Sequence, residues 1–526
     1  MPAIPQTAAH GGSFFSTTPE SIFTVEQFQG DDALMIRAAE QFSRGEVLPL
    51  AEQLDSQEEG LMPGLVRKAG QLGLCGVDTP AEYGGLGLSK NLAARILEYL
   101  SLNGSFSVTF GVTSGISQVG LSLFGTEQEK ERYLPRLASG EWIGAYALSE
   151  PNSGSDALSV STRAEERDGK WILNGTKMWI SNAKWADLFL VMAKIDGEKF
   201  SAFLVERDFP GVHVGREEHK MGLKGSSTAR LVLDNAEVPL ENLLYEPGLG
   251  HHVAFNALNL GRFKLSSMSI GPARRAIEVA SSYALERRQF GRAIAEFGLI
   301  EKKFAMMAAL FFAAESMIYR TGALIDGAFE NSDHTAAGNR AAAEEFAIEC
   351  SACKVFSTEV EGLIVDEALQ VYGGYGFTEE FPIARIFRDA RVSRIYEGTN
   401  EINRVFLADR LLRRATEDKT SLGGSKDSFV AELAGRAVKV APTDQIRVGA
   451  LSDLIMYQYA EQSSRLRAAQ VGGIKQPLYQ SLVPWFNARA AEAYQTITGE
   501  AVAMPSVALP DYSGLASAVY EKKTPL

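Results

Sequence analysis

The chain has 526 residues, 45% of them hydrophobic and 22% charged, which is ordinary for a soluble globular protein. Single hydrophobic cores stop growing well below that length, so more than one cooperative unit is expected. With 52 Lys and Arg against 65 Asp and Glu, the formal net charge of -13 favours solubility and works against non-specific nucleic-acid binding.

Residues 1–30 are rich in Pro, Gly, Ser and Thr and carry no Arg and no basic start followed by an apolar run. They are expected to form an N-terminal tail rather than a secretory or transit segment, and the chain is expected to be cytoplasmic. Over 31–146 apolar residues recur at threes and fours, as in ALMIRAAEQFSRGEVLPLAEQ and LAARILEYLSL, which predicts a helical domain. Breakers such as TPAEYGGLGLS (79–89) separate its helices. Over 147–246 the pattern changes to short alternating runs divided by turn residues, a middle β domain. Asn174-Gly175 lies between two such runs and reads as a hairpin turn.

Helical periodicity returns over 247–414. Its oiliest stretch, FAMMAALFFAA (304–314), is too short to span a bilayer and is flanked by Lys302, Lys303 and Glu315, so it reads as a buried bundle helix. Only three cysteines occur. Cys350 and Cys353 form a C-x-x-C on an amphipathic helical stretch, with no βαβ context and no second pair, which favours helix packing over a redox or metal role. No metal site is expected. SLGGSKDS (421–428) reads as a linker within a helical extension over 415–526. The predicted fold class is therefore α+β, mostly helical: helical domain, β domain, helical bundle and helical extension.

Three segments can carry chemistry. In YALSEPNSGSDALS (146–159), small and polar residues crowd where helix gives way to strand. Backbone N–H groups there can approach a flat polar ligand closely, although a polar domain junction would have the same composition. In TKMWISNAKWAD (176–187), strand alternation puts Trp179 and Ser181 on one face, an aromatic wall beside a hydroxyl. A strand tryptophan is more often core than platform. The third segment, 370–404, opens with Gly373, Gly374 and Gly376 and reaches Glu397 between Tyr396 and Gly398, in a break between helices. A carboxylate in an aromatic-walled loop is a candidate base, because desolvation moves its pKa towards the working range. A solvated surface charge is the alternative.

Beyond these readings, ALSEPNSGSDALS (147–159) resembles the first acyl-CoA dehydrogenase signature. The stretch 370–389, with Gln370, Gly373, Gly374, Gly376, Phe377, Glu380, Arg385 and Asp389, resembles the second. LERRQFGR (285–292) and RIYEGTNEINR (394–404) are further hallmarks in the expected order, and the extension is similar to that of the very-long-chain branch. The resemblance implies a helical domain, a β-barrel-like middle domain and a four-helix bundle with FAD between the last two. It implies that Leu148, Ser149, Gly154, Ser155, Trp179, Ser181, Arg287, Phe290, Gln370, Gly374, Thr399 and Glu401 contact FAD, with Arg287 and Phe290 reaching the FAD of a neighbouring subunit. It further implies that Ser155, Arg262, Tyr396 and Gly398 meet the substrate and that Glu397 is the catalytic base. The Glu397 backbone N–H, with a flavin ribityl hydroxyl, would hold the thioester oxygen. Some members place the base on a helix, just before an Arg; here that position is Gly261, before Arg262.

The implied activity is α,β-desaturation of medium- to very-long-chain fatty acyl-CoA in fatty acid β-oxidation, by a homodimer or homotetramer that passes electrons to electron-transfer flavoprotein. An acyl-CoA oxidase shares the fold and base. A nitroalkane oxidase-like enzyme would normally place Asp at position 397. A nucleic-acid-associated member would need a basic C-terminal region. The extension lacks a clearly basic amphipathic helix, so neither membrane contact nor nucleic-acid binding is expected. Small residues in GVTSGISQVGLSLFG (111–125), such as Ser117 and Gly120, are expected to leave room for a long acyl chain.

Overall fold

In the computed structural model, which describes residues 10–417, 419–440 and 444–526, the chain divides into two units. One comprises Asp31–Lys264 with Phe329–Glu344, the other Met1–Gly30, Leu265–Ala328 and Glu345–Leu526. The helix Gly250–Glu286 is shared out between them after Lys264.

The first unit opens with helices, among them Asp31–Phe42, Leu61–Gln71, Lys90–Leu100, Gly104–Gly111 and Glu127–Ala138. Their starts follow ordinary capping chemistry: Ser89 and Asn103 accept from the backbone N–H three residues on, and Thr126 with Glu129 forms a capping box. A mixed sheet follows, made of β1 (Gly144–Ala147), β2 (Arg163–Arg167), β3 (Lys170–Ser181), β4 (Leu188–Ile195), β5 (Lys199–Glu206), β6 (Val212–Glu217), β7 (Thr228–Pro239) and β8 (Leu243–Leu244). The order is β6-β7-β3-β2-β4-β5-β8, with β1 lying parallel to β4. β4 and β5 are buried almost throughout and read as continuous apolar runs, whereas β7 alternates, as expected of a strand with one wet face.

Two sequence expectations fail here. Asn174-Gly175 makes no hairpin: β3 runs straight through it, with a register break against β7, and a Cβ at Gly175 would lie 2.3 Å from Thr162 Oγ1. The hairpin turns are Asp168-Gly169, at φ 51° and 74° between β2 and β3, and Asp196-Gly197, at φ 54° and 78° between β4 and β5. The first is a two-residue turn, with Arg167 paired to Lys170, and the second a three-residue loop, with Ile195 paired to Lys199; Asp-Gly supplies the positive φ in each. Gly120 and Ser117 do not leave room for an acyl chain. A Cβ on Gly120 would come 2.8 Å from Leu190 Cδ2 on β4, and Ser117 abuts Gly144 of β1 at 2.7 Å from its Cβ position. Both are small because the helical segment lies close on the sheet.

The second unit is helical. Gly298–Glu330 contains the stretch read as a bundle helix, and its Phe304–Ala314 part is buried apart from Met306. It is the one helix among the described residues long and apolar enough to cross a membrane, and 89% of that window is buried within the protein. Cys350 and Cys353 lie buried in the helix Ala347–Tyr372; burial pushes the Cys353 thiol up to about 12, which fits packing and not redox chemistry. Ser425, in the segment read as a linker, donates its N–H to the Phe15 carbonyl.

The N-terminal residues are not a loose tail from His10 onward. Phe14 and Phe15 are buried; Gln458 and Gln462, on the extension helix Gln445–Val471, donate to the Phe15 and Phe14 carbonyls. Gln470 both accepts from the Ile22 N–H and donates to its carbonyl. Buried Arg467 joins Glu26 and Glu315, each at 2.7 Å, so one cation ties N-terminal segment, bundle and extension together. Burial would raise the Glu26 carboxyl, but Arg467 and Lys475 hold it down at about 2.

Glu349 has the opposite balance. Its Oε1 accepts from the Gly12 N–H at 2.6 Å, and burial raises its carboxyl from 4.5 to about 7, against the pull of Arg414 and Arg320. An unfolded chain loses this proton as pH passes about 4.5, while the folded chain keeps it until about 7. Stability contributed by the neutral acid is thus present below the lower value and lost as pH rises through the window. Glu349→Gln keeps the acceptor and cannot ionise. Its melting temperature relative to wild type should rise between pH 5 and pH 8, by an amount of order 3 kcal/mol in stability. A gap independent of pH in thermal scans would refute this.

Candidate active site

The residues expected to meet FAD fall into one group on each unit. In the sheet unit, the chain leaves β1 at Leu148 and enters the loop 148–159. That loop is fixed from within by Glu150, only 4% exposed. Its carboxylate accepts from the Ser161 N–H and hydroxyl, both at 2.6 Å, and from the Thr162 N–H at 3.1 Å and hydroxyl at 2.5 Å. It also pairs with fully buried Lys177 at 2.7 Å. Burial alone would raise the Glu150 carboxyl; Lys177 and the two hydroxyls hold it near 2.

Lys177 also donates to the Leu148 carbonyl at 3.2 Å, and the Met178 N–H donates to the Ser149 carbonyl at 2.8 Å. Leu148 and Ser149 are thereby brought against the strand that carries Trp179 and Ser181. Simple alternation does not place Trp179. The β3–β7 register breaks between Lys177 and Ile180, Lys177 and Met178 are buried in succession, and Trp179 takes φ 61° with 60% of its surface exposed. This bulge turns the ring outward, with half-buried Ser181 two residues on. Gly154 and Ser155 are exposed, and a Cβ at Gly154 would meet nothing within 4 Å. Arg262 is buried on the helix Gly250–Glu286, donating to Asn259 at 3.3 Å.

In the helical unit, the ends of two helices meet: Tyr283 stacks on Tyr372 with ring centroids 4.2 Å apart, and the Tyr372 hydroxyl donates to the Val279 carbonyl. Beyond that junction Arg287 lies over the Tyr375 ring at 5.5 Å, close to exposed Gln370, Gly373 and Gly374. Neither Gly373 nor Gly374 has an atom within 4 Å of its Cβ position, so backbone there is open to a ligand. Phe290 and Gly291 form a turn at φ 55° and 84° in a small ribbon, leaving Phe290 93% exposed.

Tyr396, Glu397 and Gly398 occupy the irregular stretch between the turn Arg391–Arg394 and the helix Asn400–Thr416. Thr399 caps that helix by accepting from the Ile402 N–H, and Glu401 stands exposed in its first turn, where a carboxylate complements the helix dipole. Glu397 is half-buried at φ 53° and Gly398 follows at φ 79°. Burial, reinforced by Glu361, Glu397 and Asp389, raises the Tyr396 phenol well above its ordinary range, so it stays neutral.

Sequence reasoning missed Glu150, Lys177, Asn182, Lys354, Asn400 and Asn403. Asn182, at φ 67°, donates to the carbonyls of Thr109 and Gly144 at 3.0 and 2.9 Å, fastening a helix to β1. Its place three residues after Trp179 was visible, but not its partners.

Comparison with known proteins shows the family. The family patterns described as "Acyl-CoA dehydrogenase, N-terminal domain", "middle domain" and "C-terminal domain" match residues 30–141, 145–236 and 248–412. A protein named "Probable acyl-CoA dehydrogenase" from Bacillus subtilis is 46% identical over 431 residues, 80% of this chain and 73% of that one. The mitochondrial very long-chain specific acyl-CoA dehydrogenase of Rattus norvegicus is 40% identical over 71% of this chain, which spans just over half (56%) of that longer relative. The crystal structure of an acyl-CoA dehydrogenase complexed with FAD from Bacillus anthracis superposes with a TM-score of 0.92 at 38% identity, covering 99% of this chain and all of that one. The chain belongs to the acyl-CoA dehydrogenase family.

Proposed function

We propose that this chain is an FAD-dependent dehydrogenase that desaturates long-chain fatty acyl-CoA between the α and β carbons, with Glu397 as the base. The observation that carries the proposal is the setting of Glu397: a half-buried carboxylate on an irregular stretch, in left-handed backbone, beside a neutral tyrosine. A carboxylate held off the open surface at a fixed backbone position is placed as a general base must be. The helix position that could hold an alternative base is Gly261, which cannot accept a proton.

The residues present suit FAD. Trp179 offers an exposed aromatic face beside Ser181, Gly154 and Ser155 supply exposed backbone, and buried Leu148 and half-buried Ser149 lead into that loop. Arg287, Phe290, Gln370, Gly374, Thr399 and Glu401 would hold the remainder, Arg287 offering the planar guanidinium that suits a phosphate. Bound FAD supplies the two-electron acceptor for the hydride from the β carbon. Glu397 takes the proton from the α carbon and becomes the neutral acid, while its backbone N–H donates to the thioester oxygen as negative charge develops there. Arg262, Ser155, Tyr396 and Gly398 line the acyl-CoA.

Similarity to a very long-chain specific relative and the helical extension support a long acyl chain. The finer proposals are transfer to electron-transfer flavoprotein within β-oxidation and a homodimer or homotetramer in the cytoplasm. Anaerobic mixing with saturated acyl-CoAs of graded length should bleach the flavin, fastest with long chains. Slow reoxidation in air would separate the dehydrogenase from an oxidase. Absence of bleaching with every chain length would overturn the proposal.

A further inference from the structure

Glu397 and Gly398 are consecutive left-handed residues, at φ 53° and 79°. Glycine accepts that region freely and glutamate does not, so the surroundings must over-determine the conformation. The helix Ala347–Tyr372 provides part of what holds it. Wholly buried Lys354 donates from Nζ to the Gly398 carbonyl at 2.9 Å and to Asn400 Oδ1 at 2.7 Å. From the other side, wholly buried Asn403 donates from Nδ2 to the same Gly398 carbonyl at 2.8 Å and to the Thr399 carbonyl at 3.0 Å.

These contacts are themselves braced. Asn400 Nδ2 donates to Thr358 Oγ1 and to Glu359 Oε1, each at 3.1 Å, and Arg404 grips Glu359 at 2.7 and 3.0 Å and Asp453 at 2.8 Å. Thr358 Oγ1 donates back to the Lys354 carbonyl at 2.8 Å. Lys354, Thr358 and Glu361 are spaced by four and three residues and share one helix face. Buried Glu361 is followed by Gly362, where a Cβ would lie 3.4 Å from the Arg394 guanidinium, so the helix also meets the turn that leads into the irregular stretch. One helix therefore contacts both ends of the segment that carries the base. Burying an ammonium is costly, which a purely space-filling position would not require.

We propose that Lys354 and Asn403 are positioning residues for the reaction: by clamping the Gly398 carbonyl they hold the Glu397–Gly398 pair in its left-handed form and so aim the base. Without the clamp, the Glu397 φ relaxes towards negative values and the carboxylate moves off the proton. A displacement of about 1 Å costs roughly 100-fold in rate. The Glu397 N–H shifts with it, but its bond to the thioester oxygen strengthens as negative charge develops there, so the loss falls mainly on the rate and less on binding.

This inference rests on Glu397 being the base, and the test separates the two. Lys354→Met, Asn403→Leu and Glu397→Gln are purified as holoenzymes and mixed anaerobically with the saturated acyl-CoA that bleaches wild type fastest. For Lys354→Met the limiting bleaching rate should fall about 10- to 100-fold, with half-saturating substrate within about 3-fold, while flavin content and melting temperature show that the holoenzyme is assembled. Asn403→Leu should show the same split and decides the matter if Lys354→Met does not fold. Wild-type limiting rates in the folded clamp variants, alongside an inactive Glu397→Gln, would overturn the clamp and leave the base standing. A Glu397→Gln enzyme that bleaches at the wild-type rate would overturn the base itself.

Discussion

Lys177→Met should destabilise the protein by about 3–5 kcal/mol, the cost of leaving a buried carboxylate without its cation. Glu150 would keep the Ser161 and Thr162 donors but lose the ammonium at 2.7 Å. Because the same lysine holds the Leu148 carbonyl, the 148–159 loop should loosen from the Trp179 strand and flavin retention should fall with stability. Urea unfolding measures the first effect and flavin content after gel filtration the second. Glu150 adds a pH signature. Its carboxyl is held down at about 2, so the stability it contributes is present above its unfolded pKa and is lost as pH falls towards 2. A loss under about 1 kcal/mol in Lys177→Met would mean that the pair is no more than a surface bridge in its energetics. The double variant Lys177→Met with Glu150→Gln should recover part of the stability, since it removes the stranded charge.

Glu397→Gln should lower the rate of flavin bleaching by roughly 100- to 10,000-fold, the range that general-base catalysis supplies. Glutamine keeps the shape of the side chain and the backbone N–H, so acyl-CoA affinity should change by only a few-fold. A loss confined to the limiting rate identifies a group that acts in the transition state. Glu397→Asp keeps the charge but withdraws it by one methylene, and should be slowed by up to about 100-fold. Equal effects on affinity and rate would assign Glu397 to binding instead.

What could be read from the sequence follows how local each feature is. The order of helical and β segments was legible because 3.6- and 2-residue periodicity is written in neighbouring residues. The two signature segments were legible because their constraints are also local, and with the hallmark RIYEGTNEINR (394–404) they led to Glu397. Alternation put Trp179 and Ser181 on one face, but the outward turn of the ring depends on a bulge set by β7, and so does the straight passage of Asn174-Gly175 through β3. The two Asp-Gly turns were legible in principle: each lies between two strand-like runs and accepts positive φ, and Asn-Gly competed for the same reading. Ser117 and Gly120 show the opposite failure. Small residues mark close approach, and only the fold shows that a strand approaches and not an acyl chain. Lys177 and Lys354 are buried cations whose partners lie 27 and 44 to 46 residues away, and a single lysine in a sequence looks like a solvated charge.

The most direct measurement of what Glu397 does is exchange at the α carbon. Wild-type holoenzyme and Glu397→Gln are incubated anaerobically in deuterium oxide with a saturated long-chain acyl-CoA, and the recovered thioester is examined by mass spectrometry. If Glu397 removes the α proton reversibly, deuterium enters that position with the wild type and not with the variant. Deuterium entering at the wild-type rate in Glu397→Gln would contradict the assignment and place the base elsewhere.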